Sequence, residues 1–348
     1  MIAPFGRQLI LFVTRSCPLR CMHCFLRDEW SSTAGREISI EEAARLGREA
    51  APISQLSLSG GEPSDRDDLP ELVQALAEES GVRHIDLPSA GWDPQRVSSM
   101  TERILETGNW QRVSLNLSLD GHAELHDRIR GVNGSYDRLV ETYGELVKLK
   151  SRGPLVLKVV VTLMKATAHA LPDIVRALQA DFPHVDHVHV EPYRGRDRGE
   201  GIAPPSAEEM RADRKLVFGL YDSGDLGGHG RFGLGGLSAA MKKVVYDEYA
   251  RLLDGHKPRI MCRAPWFSLV VTETMDLAFC EPGPILGNLR EKSLREILDG
   301  PGAQRERERI GRGCACTHSC FMQPSALLSP AAWSRLPAML LLGRGSGV

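Results

Sequence analysis

The sequence lacks the features that mark several common protein classes. Its formal net charge is −2, which gives no electrostatic footprint for nucleic acid or an anionic membrane. No apolar run approaches the roughly 18 residues that a transmembrane helix needs. The apolar run at residues 9–13 is too short for a signal peptide. We therefore expect a cytoplasmic protein with no nucleic-acid or membrane partner.

Cysteine is absent from the long middle of the chain, although the sequence contains eight cysteines. A disulfide framework would spread its cysteines, and a cytosolic protein keeps them reduced. Two tight groups therefore indicate metal binding. The groups are Cys17, Cys21 and Cys24, then Cys262, Cys280, Cys314, Cys316 and Cys320.

Between the two groups, short apolar runs alternate with amphipathic stretches of helical period. We predict strands at residues 8–13, 55–58, 84–87, 113–119, 155–163 and 187–190. We predict helices at 40–51, 68–80, 94–107, 136–149 and 171–180. This alternation predicts right-handed βαβ units and a parallel sheet, open or curved into part of a barrel. Catalytic groups should then follow the carboxyl ends of the strands.

The alternation stops after Pro192. Two helical stretches, 207–221 and 237–253, flank a glycine-rich segment at 224–236 that we interpret as a mobile loop. Gly228-x-Gly230-x-x-Gly233 is not a dinucleotide fingerprint, because no strand precedes it. A hairpin is predicted from 266–271 and 276–280, and a short helix near 293–298. We predict domains at 1–205, 206–258 and 259–348.

The first group, Cys17-Pro-Leu-Arg-Cys21-Met-His-Cys24, directly follows the first strand. Thiolates are soft ligands that suit iron–sulfur clusters or zinc. A site with three protein ligands leaves a coordination position free for a substrate or cofactor. The alternative is a structural zinc site that uses His23 or a distant residue as its fourth ligand.

The second strand ends in Gly60-Gly61-Glu62-Pro63. Two glycines at a strand end let another molecule approach the backbone closely. Exposed carbonyls and a carboxylate suit a cationic amino group. Taken alone, this motif is more often a turn, but it follows the cysteine loop by one βα unit.

The cysteine loop, with His23 at its variable apolar position, and the Gly-Gly-Glu-Pro strand end together resemble the radical S-adenosylmethionine (SAM) superfamily. The likeness extends over about residues 7–195, through Ser118-Leu-Asp120-Gly121 and the run from 126 to 131. These two runs resemble the peptide-maturase and sulfatase-maturase branch. The resemblance implies a partial (β/α)6 TIM-like barrel of parallel strands. It also implies a 4Fe–4S cluster on Cys17, Cys21 and Cys24, with one open iron that chelates SAM.

The resemblance further implies a set of residues around SAM. Residues 60–62 would bind the ammonium group of SAM, and Ser118 would bind its ribose. Arg130 would bind the carboxylate or the ribose side of SAM. The alternative for Arg130 is an ion pair on an exposed loop. The full set is Gly60, Gly61, Glu62, Pro63, Ser118, Asp120, Arg130 and His23. One electron, from a ferredoxin- or flavodoxin-type donor, would cleave SAM to a 5′-deoxyadenosyl radical.

The second cysteine group resembles the C-terminal auxiliary-cluster extension of SPASM and twitch enzymes. The full SPASM run is absent, and five cysteines are too few for two clusters. We therefore expect one auxiliary 4Fe–4S cluster, in a small C-terminal domain. Cys262 and Cys280 would be ligands, with two more from Cys314, Cys316 and Cys320. A zinc ribbon is the alternative.

The resemblance implies a radical SAM oxidoreductase. An auxiliary cluster closed by four thiolates favours electron transfer, and hence net oxidation of the substrate. Only residues 1–16 precede Cys17, without a leader-recognition domain, so we expect a small molecule such as a sugar, aminocyclitol or nucleoside. A peptide maturase, served by a separate recognition protein, is the alternative. The alternative from a different functional class is a zinc-binding module that has no catalytic activity.

Overall fold

Strands and helices alternate through most of the chain. The structure, a computed structural model, describes residues 7–26, 36–223 and 234–341. Its strands are β1 Arg7–Thr14, β2 Ile53–Gly60, β3 His84–Ser89, β4 Arg112–Ser118, β5 Leu155–Leu163, β6 His187–Pro192, β7 Ser268–Val271, β8 Asp276–Ala278 and β9 Gly287–Asn288.

The helices range from single turns to five turns. They are α1 Ile40–Ala50, α2 Leu69–Ser80, α3 Pro94–Thr107, α4 Glu124–Arg130, α5 Ser135–Leu149, α6 Lys165–Ala168, α7 Leu171–Asp181, α8 Ala207–Ser223, α9 Leu234–Leu253, α10 Ala264–Phe267, α11 Leu294–Asp299, α12 Pro301–Gly311, α13 Ser319–Leu327, α14 Pro330–Trp333 and α15 Leu336–Leu341. No described helix is both long and apolar enough to span a bilayer.

The strands form one sheet in the order β6-β5-β4-β3-β2-β1-β7-β8-β9. Neighbours from β1 to β4 pair in parallel, and β7 pairs in parallel with the other side of β1. β8 and β9 continue the edge in antiparallel fashion. All six strands predicted before residue 195 are present, so the predicted α/β architecture is confirmed.

Helix α1 shows how the local sequence builds one of these units. Ser39 caps its first turn by accepting from the Glu42 backbone N–H, and the Glu42 carboxylate accepts from Ser39 N. Leu46 is buried on the inner face of the helix, which contributes about 2 kcal/mol. Gly47 lets the helix approach α2 closely, because a Cβ there would lie 2.7 Å from Leu76 O.

The chain divides into two compact units. The first comprises residues 1–119, 123–159 and 264–308, and the second comprises 120–122, 160–263 and 309–348. The hairpin β7–β8 therefore belongs to the unit that contains β1 to β4. The domain bounds predicted from the sequence stay a prediction.

Three sequence predictions differ from the structure. Residues 266 and 267, predicted to begin the first strand of the hairpin, belong to helix α10, and β7 begins at Ser268. Residues 234–236, predicted in a loop, begin helix α9, and the rest of that glycine-rich segment, 224–233, lies outside the described residues. Residues 124–130 form helix α4, which was not predicted because seven residues are too few to show a periodic pattern. Gly131 ends α4 with a φ of 74°.

Candidate functional site

The loop that carries the first three cysteines is fastened to the end of α4. Arg20 N donates to Arg130 O at 3.1 Å, and Met22 N donates to Ile129 O at 2.8 Å. Gly131 permits this approach, since a Cβ there would lie 2.7 Å from Arg20 O. The backbone of α4 thus sets the course of the loop between its cysteines.

The three thiols of this loop influence one another. Cys21 is buried, and Cys17 and Cys24 are half-buried. The pKa of Cys17 is raised to about 12, chiefly by burial and also by negative charge at Cys21, Glu62 and Cys24, while a backbone hydrogen bond from Leu19 acts in the opposite direction. Such a group of thiols ionises only when positive charge compensates the thiolates, and the irons of a cluster supply that charge. The donor set therefore fits an iron–sulfur cluster.

No single-ion site is preformed in the described part of the chain. Within residues 7–26, 36–223 and 234–341, no group of three or more His, Cys, Asp or Glu side chains is gathered closely enough to hold one metal ion. None of the eight cysteines, all of which lie in the described part of the chain, forms a disulfide bond.

The glycine pair at the end of β2 packs against the start of the cysteine loop. Gly61 N donates to Thr14 O at 2.8 Å, and Glu62 N donates to Ser16 O at 2.7 Å. A Cβ on Gly61 would lie 1.9 Å from Ser16 O, and Gly60 has a φ of 121°. The sequence suggested close approach of a ligand; the structure shows that the chain itself already requires both glycines.

The Glu62 carboxylate is buried and held in one position. It is 3% exposed, and burial raises its pKa. Its Oε2 accepts from Ala90 N at 2.7 Å, and its Oε1 accepts from Ser64 Oγ at 2.8 Å. Ser64 N, at 3.4 Å from Oε1, and the Ser89 side chain are further donors to this carboxylate, so the protein itself satisfies most of its acceptor sites.

Arg130 is a buried residue at the end of α4. It is 6% exposed, and its Nη1 lies 3.7 Å from Cys21 Sγ. The alternative of an exposed loop ion pair is therefore wrong, because α4 turns the side chain inward toward the cysteine loop.

The other residues implied around SAM lie at the ends of β2 and β4 and on the cysteine loop. Ser118 is half-buried and ends β4. Asp120 is fully buried, and its Oδ1 accepts from Thr162 N at 3.2 Å. Pro63 begins a short 3₁₀ turn after Glu62, and His23 is half-buried beside Cys24. Their contacts with SAM stay predictions.

The five C-terminal cysteines are divided between the two compact units. Cys280 belongs to the first unit, and the other four belong to the second. In the second unit, Arg263 N donates to Ser325 Oγ at 2.9 Å, so the segment after Cys262 lies against α13, which carries Cys320. The ligand set of an auxiliary cluster stays a prediction.

Two acidic residues next to the cysteine loop were not found from the sequence. Glu37 Oε1 accepts from Thr14 Oγ1 at 2.6 Å and from Arg15 N at 3.2 Å. Glu273, 258 positions further along the chain than Arg15, accepts from Arg15 Nε at 2.5 Å. Neither residue lies in a motif. Glu37 precedes α1, and the pairing of β7 with β1 brings Glu273 to this end of β1.

These features define a class: an α/β protein with a cysteine loop after β1, a glycine pair after β2, and a C-terminal cysteine segment. Comparison with known proteins agrees. Residues 11–178 match the radical SAM superfamily, and residues 262–321 match the SPASM iron–sulfur cluster-binding domain. The chain belongs to the radical SAM superfamily and carries a C-terminal SPASM domain.

Among curated proteins, the chain is similar to the PqqA peptide cyclase of Ruegeria pomeroyi, at 32% identity over 62% of this chain and 56% of that protein. It is also similar to the Fe-coproporphyrin III synthase of Methanosarcina barkeri, at 35% identity over 59% of this chain and 49% of that protein. The chain therefore spans about half the length of these curated relatives.

Among solved structures, the chain resembles anSMEcpe with bound AdoMet and the Kp18Cys peptide. The TM-score is 0.64 at 13% identity, over 97% of this chain and 99% of that chain. The likeness shows the fold, a partial barrel whose six strands form a parallel sheet, followed by a mixed C-terminal region. The predicted fold class is confirmed.

Proposed function

We propose that this protein binds SAM at the cysteine loop, cleaves it reductively, and thereby removes hydrogen from a C–H bond of a peptide substrate. One observation carries the proposal: three mutually influencing thiols lie on a single loop that is hydrogen-bonded to the Gly60–Gly61 strand end. When bound, a 4Fe–4S cluster with SAM supplies a 5′-deoxyadenosyl radical by one-electron cleavage.

The residues of this chain have separate tasks in the proposal. Cys17, Cys21 and Cys24 would hold the cluster, and the buried Arg130 guanidinium would offset the negative charge at Cys21. Glu62, fixed by Ala90 N and Ser64, would accept from the ammonium of SAM. Ser118 and Asp120 would contribute at the end of β4.

A peptide substrate is better supported than the small molecule expected from the sequence. One curated relative is named for cyclising a peptide, and a solved structure of the same fold holds a peptide beside AdoMet. The matches of both cysteine regions to iron–sulfur families also speak against a zinc-binding module. We retain one auxiliary 4Fe–4S cluster, net oxidation and a ferredoxin- or flavodoxin-type electron donor as parts of the proposal.

The test uses anaerobically reconstituted protein with dithionite, SAM and synthetic peptides encoded by short reading frames near the gene. We expect one peptide to accelerate release of 5′-deoxyadenosine and to become two hydrogens lighter by mass spectrometry. Cys280→Ala should lose this product while still cleaving SAM. Acceleration by a sugar or nucleoside, with no response to any peptide, would contradict the peptide assignment.

A further inference from the structure

Strand β7 brings part of the C-terminal region next to the cysteine loop. It pairs in parallel with β1, with Leu9 opposite Leu269 and Leu11 opposite Val271. Because parallel strands end at the same edge of a sheet, the turn after β7 lies beside the residues that follow β1. Both strands belong to the first compact unit.

The turn between β7 and β8 is held in one conformation. Met275 N donates to Thr272 O at 2.9 Å, and Asn288 Nδ2 donates to Thr274 O at 2.9 Å. Met275 is fully buried with a φ of 71°. A non-glycine residue with a positive φ is strained and persists only where its surroundings determine its conformation. The turn is therefore a rigid support for the residue at its tip, Glu273.

Glu273 forms a buried ion pair with Arg15. The Glu273 side chain is 1% exposed and that of Arg15 is 17% exposed, and their Oε1 and Nε atoms are 2.5 Å apart. Glu273 Oε2 is buried without a hydrogen-bond partner among the described residues. Burying a carboxylate is costly unless a counter-charge compensates it, so the pair binds the turn firmly to Arg15.

We propose that Glu273 is a positioning residue for the first cysteine loop: it holds Arg15, two residues before Cys17, and offsets the positive charge of Arg15. The inference rests on the proposed function, because it takes the loop as the site of the SAM-binding cluster. The C-terminal segment thereby acts on the first cluster through one ion pair.

The charge of this pair has a measurable consequence. The reduction potential of an iron–sulfur cluster depends on the net charge around it. Glu273→Gln removes one negative charge beside Arg15, which favours the reduced cluster and raises its midpoint potential. The double variant Arg15→Gln/Glu273→Gln removes both charges and should restore the wild-type potential. A merely structural contact would not give this pattern.

The chain offers a matched control in Glu42, which pairs with Arg290. The Glu42 Oε1 and Arg290 Nε atoms are 2.9 Å apart, and this pair also fastens the C-terminal part of the first unit to the barrel. Glutamine at position 42 keeps the capping box of α1. Glu42→Gln should therefore lower stability without moving the midpoint potential.

The experiment is a redox titration of anaerobically reconstituted protein, following the electron paramagnetic resonance signal that changes when SAM is added. We expect a higher potential in Glu273→Gln, and wild-type values in the double variant and in Glu42→Gln. Should Glu273→Gln not fold, Arg15→Gln replaces it: this variant removes the positive charge of the pair and should lower the potential.

Two results would overturn the inference in distinguishable ways. An unchanged potential in Glu273→Gln, or a double variant that stays shifted, refutes the role of the ion pair alone. A wild-type protein with full iron content but no signal that responds to SAM refutes the proposed function and this inference with it.

Discussion

The guanidinium of Arg130 approaches the thiol of Cys21, with 3.7 Å between Nη1 and Sγ. The two residues are 109 positions apart in the chain. The contact joins the end of α4, which follows β4, to the cysteine loop after β1, where the candidate cluster site lies. A positive charge at this point stabilises thiolate, the form of cysteine that binds metal.

Replacing Arg130 should therefore weaken the site. We expect Arg130→Gln to slow release of 5′-deoxyadenosine at least about tenfold, since a hydrogen bond to a charged group contributes about 1.5–3 kcal/mol. The matched control is Arg128→Gln, because Arg128 is exposed on the same helix. Equal rates in the two variants would show that Arg130 has no part in the site.

Gly61 should tolerate no side chain. In Gly61→Ala, the new Cβ would lie 1.9 Å from Ser16 O, so the strand end or the cysteine loop must move. We expect loss of SAM cleavage and a fall of about 1–3 kcal/mol in the free energy of unfolding.

Gly144 provides the control for this substitution. A Cβ at Gly144, inside α5, would meet nothing within 4 Å. Gly144→Ala should raise the free energy of unfolding by about 0.5–1 kcal/mol and leave cleavage intact. Urea titrations and deoxyadenosine assays measure both effects, and an active Gly61→Ala protein would contradict the packing described here.

The stability of the protein should depend on Asp213 in α8. Its side chain is almost fully buried, and burial raises its pKa to about 7, with a further contribution from Glu209. The folded protein therefore binds this proton more tightly than the unfolded chain does. The contribution of Asp213 to the free energy of unfolding is fully present below about pH 4. It is lost as the pH rises to about 7, and it stays absent above that pH.

Asp213→Asn should remove this dependence. We expect it to stabilise the protein by about 2 kcal/mol at pH 8, allowing for partial solvent screening, and by little at pH 4. Glu208→Gln, an exposed neighbour on α8, is the control and should change neither value. Denaturation curves across this pH range that are parallel for Asp213→Asn and wild type would refute the assignment.

The iron content should report the number of clusters. We expect about eight irons per reconstituted chain, from two 4Fe–4S clusters. Combined replacement of Cys262 and Cys280 by alanine should leave about four, and so should replacement of Cys17, Cys21 and Cys24. Content near twelve irons would show a second auxiliary cluster, and content unchanged by the Cys262 and Cys280 substitutions would remove the auxiliary site.

Features built from residues close together in the sequence could be predicted, and contacts between residues far apart in the sequence could not. Strand β5 was predicted to the residue because residues 155–163 form one apolar run with few interruptions, and helix α3 because Pro94 opens it. The cysteine loop was found because its ligands lie within eight residues. The position of Glu273 was not predictable, because the parallel pairing of β7 with β1 leaves no periodic signal in the sequence. Helix α4 was not predictable either, because it is too short to show a periodic pattern.

The loop from Cys17 to Cys24 should support reductive cleavage of SAM. Its most direct test compares wild type with Cys21→Ala after anaerobic reconstitution, by quantifying 5′-deoxyadenosine formed from SAM and dithionite without substrate. We predict slow release by the wild type, and none by Cys21→Ala, with circular dichroism showing that the variant keeps its fold. Equal amounts of 5′-deoxyadenosine from the two proteins would contradict the account.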